Sequence, residues 1–486
     1  MSDPAADPEN QVTDPETSPE TSAEARRLAG IDLDPDLAGV VRDAIEEGDA
    51  ERLRTLIAPV DAADLADLLQ ELDRGDRRAV VEEIGKDLLP DVLAELDETV
   101  REDVIETLGV TETAAAVADM ETDDALLVIA DLDEVEQQLV LQAIPQPDRG
   151  LLEQALAYPE GSAGRLMQRE MVAAPVFWTV GDTIDDIRRT AEESPDSLPA
   201  HFHDIFVVDP AHRPVGMVPL SILLRARRAV PLSTIMRTEL RPIDTHTDQA
   251  DVALLFRKRD LTSAPVVDEG GRLLGIITID DVVDVIDEEH EGELMHLGGV
   301  GTDDLYRATI DTARSRFTWL SVNLATAILA SLVIGLFDAT IERMVALAVL
   351  MPIVASMGGN AGTQTLTVAV RGLAMRELTP ANAFRVIGKE LLVGVVNGCL
   401  FAVIAGAIAW VWFGDAALAA IIGLAMIVNL TVAALAGASI PIALERLGVD
   451  PAVASSVFVT TVTDVIGFFA FLGLAAWLLV AQAGPA

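Results

Sequence analysis

The chain of 486 residues has a single cysteine, Cys399, and it lies within an apolar run. One thiol excludes both a disulfide framework and a thiolate metal centre. Only three lysines occur (Lys86, Lys258 and Lys389), and Lys plus Arg total 34 against 78 Asp plus Glu. A formal charge of -44 excludes nucleic acid as a partner, because phosphate backbones are held by neutralising Lys and Arg. Residues 1–23 lack any hydrophobic stretch and are rich in Asp, Pro, Glu, Thr and Ser. They read as a disordered acidic tail without a signal peptide. No histidine lies in any of the long apolar runs near the C-terminus, so soft-metal sites are not expected there.

The charge that is present is unevenly placed. From Gly301 onward there are 9 basic and 11 acidic residues, so nearly all of the negative charge precedes that point. An acid-rich first part is joined to a nearly neutral, apolar second part. Lysine-poor acidic surfaces suit concentrated salt, which accounts for the bulk of the carboxylates but not for where they cluster. Hard divalent cations are the partners such oxygens permit.

Residues 24–158 are predicted to form an all-α superhelical domain. Apolar residues recur at spacings of three and four, as in Leu65, Leu68, Leu69 and Leu72, with breaks near Gly48, Pro59, Gly75, Pro90 and Gly109. An internal duplication follows. FVVDPAHRPVGMVPLSILL from Phe206 matches PVVDEGGRLLGIITIDDVV from Pro265, and Leu166-Met167 is echoed by Ile235-Met236. Each copy reads strand, glycine-containing turn, strand, helix. The pair resembles tandem CBS domains, here 159–230 and 231–279, modules that sense nucleotides or ions. Adenosine-binding members carry Gly-x-x-Thr-x-x-Asp. The second copy keeps Gly275, Thr278 and Asp281, whereas the first has Pro219 and Ile222 at the corresponding places. The resemblance therefore implies a nucleotide such as ATP at the second half-site only.

The segment 280–300 is predicted to be an acidic connecting helix. Asp280, Asp284, Asp287, Glu288 and Glu291 fall on one broad face, and like charges at this spacing destabilise an isolated helix. That face needs cations or salt. Gly298, Gly299 and Gly301 end it. Five apolar stretches follow in 301–486, each long enough to cross a bilayer: Phe317–Phe337, Met344–Val370, Leu391–Phe413, Ala416–Leu444, and Pro451 to the C-terminus. Arg307, Arg314 and Arg316 precede the first, and Arg371, Arg376, Arg385 and Lys389 separate the second from the third. The opposite loops hold only Arg343. The positive-inside rule then places the N-terminal region in the cytoplasm and the C-terminus outside.

Asp464 is the one ionisable residue of the fifth span. A carboxylate in a spanning helix costs several kcal/mol unless it faces water, a partner or an ion. No basic residue lies within two turns of it, and Thr460, Thr461 and Thr463 surround it with hydroxyls. A hydrated lumen fits this pattern. The absence of a second mid-span acid opposes an intramembrane aspartyl protease, whose chemistry needs two facing carboxyls. The second span carries SMGGNAGTQT from Ser356, where Gly358, Gly359 and Asn360 offer carbonyls and an amide to a pore, or close packing between helices. Asn397 and Asn429 divide the same way, and Glu390 is expected to snorkel beside Lys389. Mg²⁺ sheds water reluctantly and uses one or two carboxylates, so one Asp among carbonyls and hydroxyls suits the hydrated ion.

This multidomain order resembles the MgtE family of magnesium channels, on MPIVASMGGNAGTQT from Met351, GVDPAVASSVFVTTVTDVIGFF from Gly448 and DDVVDVIDEEHE from Asp280. The resemblance implies a homodimer with its pore on the two-fold axis and Mg²⁺ as both cargo and regulator. Asp464 matches the pore aspartate. The connector matches a plug helix, with Asp280, Asp284, Asp287, Glu288 and Glu289 as sensor ligands and Asp91 and Glu95 of the helical domain facing them. Export of Mg²⁺, conduction of Mn²⁺, Co²⁺ or Ca²⁺, and a non-transporting CBS-based sensor are the alternatives.

Overall fold

The computed structural model describes residues 35–85, 89–146, 148–193, 198–199, 201–298, 300 and 309–483. The expected tail at 1–23, the first residues of the helical domain, Lys86, Gly299, Gly301 and Arg307 lie outside them. The chain divides into two compact units, Met1–Val283 and Asp284–Ala486.

Among the described residues the first unit opens with the helices α1 (Pro35–Glu47), α2 (Ala50–Ile57), α3 (Ala62–Glu71), α4 (Arg74–Val81), α5 (Leu89–Glu95), α6 (Glu98–Ala118), α7 (Thr122–Ala130), α8 (Glu134–Ala143) and α9 (Asp148–Leu156). Their N-caps Asp49, Asp61, Asp73, Asp97, Glu121 and Asp133 are separated by multiples of twelve residues. Asp49, Asp61, Asp73 and Asp133 accept from backbone N–H groups of the first turn, satisfying donors that the helix itself leaves free. Gly109 falls in the same phase. Its φ of 73° splits α6 in two, in a conformation that costs glycine little.

A repeated arginine ties successive helices together. Arg77 Nε donates to Leu69 O at 2.8 Å and Nη2 to Leu72 O at 3.0 Å, while Nη1 meets Asp103 at 2.6 Å. Arg101 repeats this with Leu93 O at 2.8 Å, Leu96 O and Asp131. Each guanidinium closes the last carbonyls of the preceding helix. The aliphatic side chains between, among them Leu65, Leu69, Leu93, Val104 and Ile129, form one continuous core.

The duplicated segment gives two sheets of identical topology. In the first, β1 (Ala173–Pro175) runs parallel to β2 (Asp204–Val208), which pairs antiparallel with β3 (Pro214–Pro219). In the second, β4 (Ile243–Asp244), β5 (Ser263–Val267) and β6 (Leu273–Thr278) do the same. Bulges fall at Val207/Val208 and Val266/Val267, equivalent places in the two copies. Helices α10 (Ala163–Leu166), α11 (Val180–Glu193), α12 (Leu220–Arg225), α13 (Leu232–Ile235) and α14 (Gln249–Arg259) complete them. The copies pack crosswise. A Cβ on Gly275 would stand 3.0 Å from Met167 Sδ and 2.5 Å from Gln168 O, and one on Gly216 would stand 2.7 Å from Met236 Sδ. The methionines of the echoed pairs, Met167 and Met236, thus fill glycine notches in the opposite copy. Phe206, Val208, Leu273 and Ile276 form a core shared by both sheets.

Helix α15 (Ile279–Gly298) leads from the second sheet. The second unit then contains α16 (Thr309–Gly335), the short α17 (Asp338–Arg343), α18 (Ala346–Ala374), α19 (Ala383–Phe413), α20 (Ala416–Arg446) and α21 (Pro451–Ala483). Five of these are long and apolar enough to cross a membrane: α16, α18, α19, α20 and α21. Helix α20 is the most enclosed, packed by α18, α19 and α21. Small residues allow this approach, as packing in membranes favours. A Cβ on Gly394 would stand 2.6 Å from Ala434 Cβ, and one on Gly437 would stand 2.6 Å from Gly362 O.

Candidate cation pathway and acidic sensor

Helix α18 has two faces of opposite character. Leu350, Val354, Gly358, Gly362, Leu366 and Ala369 are buried against its neighbours, whereas Ser356, Asn360, Thr363, Gln364 and Thr367 are exposed. A row of amides and hydroxyls on a spanning helix is costly against lipid and is matched instead by water or another chain. On α21, Thr460 is exposed and Thr461 and Asp464 are half-buried. Thr461 Oγ1 donates to Val457 O at 2.6 Å and Thr460 Oγ1 to Ser456 O at 2.9 Å. Their hydroxyl protons are therefore turned to the helix, leaving oxygen lone pairs outward. Among the described residues Asp464 has no hydrogen-bond or ion-pair partner.

The two glycines of the second span part company. Gly359 has open space where a Cβ would be, but Gly358 is filled by the side chain of Asn429. Asn429 is fully buried, donates from Nδ2 to Val354 O at 2.7 Å and also abuts Gly467. Gly358 and Asn429 thus pack α18, α20 and α21 together, with the Cβ side of Gly358 turned to Asn429 rather than to open space. Asn397 stays exposed on α19. Glu390 is buried while Lys389, 3.6 Å away, is exposed, so Lys389, rather than Glu390, reaches outward.

A second acidic locus lies in the first unit. At the start of α7, Asp123 and Asp124, with Glu121 beside them, come close to Asp281 in the first turn of α15. The start of α7 is tied to the first CBS copy by Thr122, whose N–H and Oγ1 donate to Glu170 at 3.1 and 2.8 Å, and by Gln168 Nε2, which donates to Glu121 at 3.2 Å. Burial and then the neighbouring Asp281 hold Asp123 well above the usual carboxylate range. Burial, Asp281 and Glu121, with smaller contributions from Glu95 and Asp91, push Asp124 up to about 7. Asp281 is also raised, chiefly by burial, although Thr278 donates to it from Oγ1 at 2.7 Å and from its N–H at 3.2 Å. Among the described residues no three carboxylates or imidazoles converge to direct metal-ligand geometry. The arrangement is an electronegative space lined by carboxylates, suited to a proton or a cation held partly through water.

Comparison with known proteins identifies three segments of the chain. Residues 60–161 match the model of the MgtE intracellular N domain, 232–288 that of the CBS domain, and 351–474 that of MgtE, a divalent cation transporter. The magnesium transporter MgtE of Thermus thermophilus is 35% identical over 328 residues, which is 67% of this chain and 71% of that protein. The chain belongs to the MgtE family. That of Bacillus subtilis is 30% identical over 65% of this chain and 70% of its own length. Among solved structures, the cytosolic domain of the Mg²⁺ channel MgtE in complex with ATP is 32% identical, covering 51% of this chain and 99% of that one, with a TM-score of 0.47.

The expected residues of this MgtE chain fall into distinct groups. Asp91 and Glu95 are exposed on α5 and act on Asp124. Asp280, Asp284, Asp287 and Glu288 are exposed on α15 and Glu289 is half-buried. Thr278 and Asp281 engage each other. Glu121, Asp123 and Asp124 were missed. The signal was present as Glu-Thr-Asp-Asp at a helix start, but acids at a helix N-terminus are ordinary and this chain has many. His296, in the last turn of α15, lies with Nδ1 3.1 Å from Asp450 Oδ2, and Asp450 caps α21 through the N–H of Ala452. The end of the acidic helix is thereby joined to the base of the helix that carries Asp464.

Proposed function

We propose that this chain is a passive Mg²⁺ channel, taking the ion into the cell down the membrane potential and closing when cytosolic Mg²⁺ rises. The observation that carries the reading is Asp464: a carboxylate in a spanning helix, half-buried, without a partner among the described residues, beside threonine oxygens. Two copies would bring their polar α18 faces and Asp464 side chains around a common lumen. The ion passes through it with its inner water shell, held by Asp464, Asn360, the Gly359 carbonyl and Thr461. The N-terminal region faces the cytoplasm, where Glu121, Asp123, Asp124 and Asp281, with Asp91, Glu95 and Asp280 at the edge, take up Mg²⁺ and draw the helical and CBS domains together. The acids Asp284, Asp287, Glu288 and Glu289 extend this sensor along α15, whose link through His296 to Asp450 transmits closure. Asp123 and Asp124 beside Asp281 favour a cation over a nucleotide phosphate there.

The test is flux into liposomes holding the purified full chain, across Mg²⁺, Mn²⁺, Co²⁺ and Ca²⁺, with internal Mg²⁺ varied. Mg²⁺ entry that falls as internal Mg²⁺ rises supports the reading. Absence of flux for every cation would return the chain to a sensor without a pore.

A further inference from the structure

A notch lies at the end of the membrane unit that bears the α18–α19 connection, between that connection and the last turns of α20. It measures about 240 Å³. Its floor is apolar, formed by Leu373, Leu378 and Ile442, all buried. The main-chain N–H of Leu378 donates to Gly372 O at 2.6 Å, which folds the connection back over the end of α18. Thr379, Glu445 and Arg446 form the rim and are exposed. In a chain with more than twice as many acids as bases, Arg446, Arg371 and Arg385 have no carboxylate partner among the described residues. The Thr379 hydroxyl is likewise without a hydrogen bond, while its N–H is satisfied by Asn382 Oδ1 at 2.8 Å.

We propose that this notch holds one anionic phospholipid, with its phosphodiester on Arg446 and Thr379 and the upper part of an acyl chain on the apolar floor. Three features select that occupant. The notch lies at the termini of spanning helices, the depth at which headgroups meet chains. Phe384 and Leu447, flanking it in sequence on α19 and beyond α20, are 83% and 76% exposed, as residues seated in lipid are. The stretch from Arg371 to Lys389 has four basic residues and one acid, and a guanidinium fork matches a phosphodiester geometrically. Glu445 beside Arg446 would repel a second phosphate, yet it can accept from hydroxyls of a glycerol headgroup. Phosphatidylglycerol therefore fits better than a lipid with a phosphomonoester end.

The experiment follows thermal unfolding of the full chain in detergent with dioctanoyl phosphatidylglycerol added, because a ligand of the folded state raises the midpoint in a saturable way. Dioctanoyl phosphatidylethanolamine and inorganic phosphate serve as comparison arms. Phosphatidylglycerol is expected to raise the midpoint more than either. Arg446→Gln should weaken its apparent affinity about fivefold, the effect of removing one interfacial charge. Thr379→Val, an exposed change that leaves folding intact, should weaken it less. Arg343→Gln, at the opposite end of the unit, should leave it unchanged. Equal affinity in Arg446→Gln and Thr379→Val compared with the parent chain would overturn the proposal, as would an equal response to phosphatidylethanolamine or to phosphate.

Discussion

The two units treat the same chemical group in opposite ways. In the first, carboxylates are abundant and several crowd together, so that burial and the neighbouring acids raise the carboxyls of Asp123 and Asp124 above the usual range. In the second, the fifth span has one carboxylate, Asp464, and among the described residues no partner shares its charge. Crowded acids respond to the concentration of cations, since each proton or ion bound relieves repulsion among the rest. A solitary acid at the level of the bilayer makes a site that an ion can occupy and then leave. In the function proposed above, the first arrangement would report an ion and the second would pass it.

The largest expected effect comes from removing the solitary acid. Asp464→Asn keeps size and polarity but removes the charge, and should lower Mg²⁺ uptake into liposomes by about two orders of magnitude, as truncating one partner of a desolvated charge contact does. Asp464→Glu should retain a measurable fraction. Uptake unchanged in Asp464→Asn would erase the distinction drawn between the two units.

The crowded acids give an effect of intermediate size, readable through pH. Carboxyls raised by docking favour the docked state fully below their free value near 3.8, and that contribution fades as pH rises through about 7 for Asp124. Without Mg²⁺ the helical and CBS domains should therefore separate as pH rises through 7, and added Mg²⁺ should restore contact chiefly on the alkaline side. Spin labels at Glu136→Cys and Glu269→Cys, in a Cys399→Ser chain, would measure that distance. The pair Asp123→Asn and Asp124→Asn should flatten the pH dependence and cut the Mg²⁺ requirement about tenfold, one pH-unit equivalent of charge interaction. A pH profile that persists in the double variant would place the sensor elsewhere.

Much of this was legible from residue order, for reasons that differ by region. The duplication could be read because Gly216 and Gly275 must admit a methionine, so no larger residue fits and the pattern survives in both copies. The spans could be read because lipid imposes length and composition on each helix separately; only the short α17 between the first two was not foreseen. Facing between distant residues could not be read. Nothing in Ser356–Thr365 tells Gly358 from its neighbour Gly359, yet the first is filled by Asn429 and the second is open. Likewise Asp123 and Asp124 look like any acids at a helix start until α15 sets Asp281 beside them. The twelve-residue phase of the N-caps was visible in principle, but aspartate is too common here for the eye to isolate it.

Asn429 offers the smallest and most discriminating change. It is the buried polar counterpart to Asp464 in the same unit, with Nδ2 on Val354 O and Oδ1 without a partner among the described residues. Asn429→Ala removes one donor and leaves space beside Gly358 and Gly467. Side-chain hydrogen bonds between membrane helices contribute only about 0.6 kcal/mol on average, so thermal stability in detergent should fall by a few degrees or less while Mg²⁺ selectivity stays unchanged. Refilling the space with Gly358→Ala in the same chain should recover part of the loss, because its new methyl group occupies the volume the amide vacated. If Asn429→Ala instead altered which cations pass, the amide would be touching the ion, and the division between packing polar groups and pore polar groups on α18 and α20 would have to be redrawn.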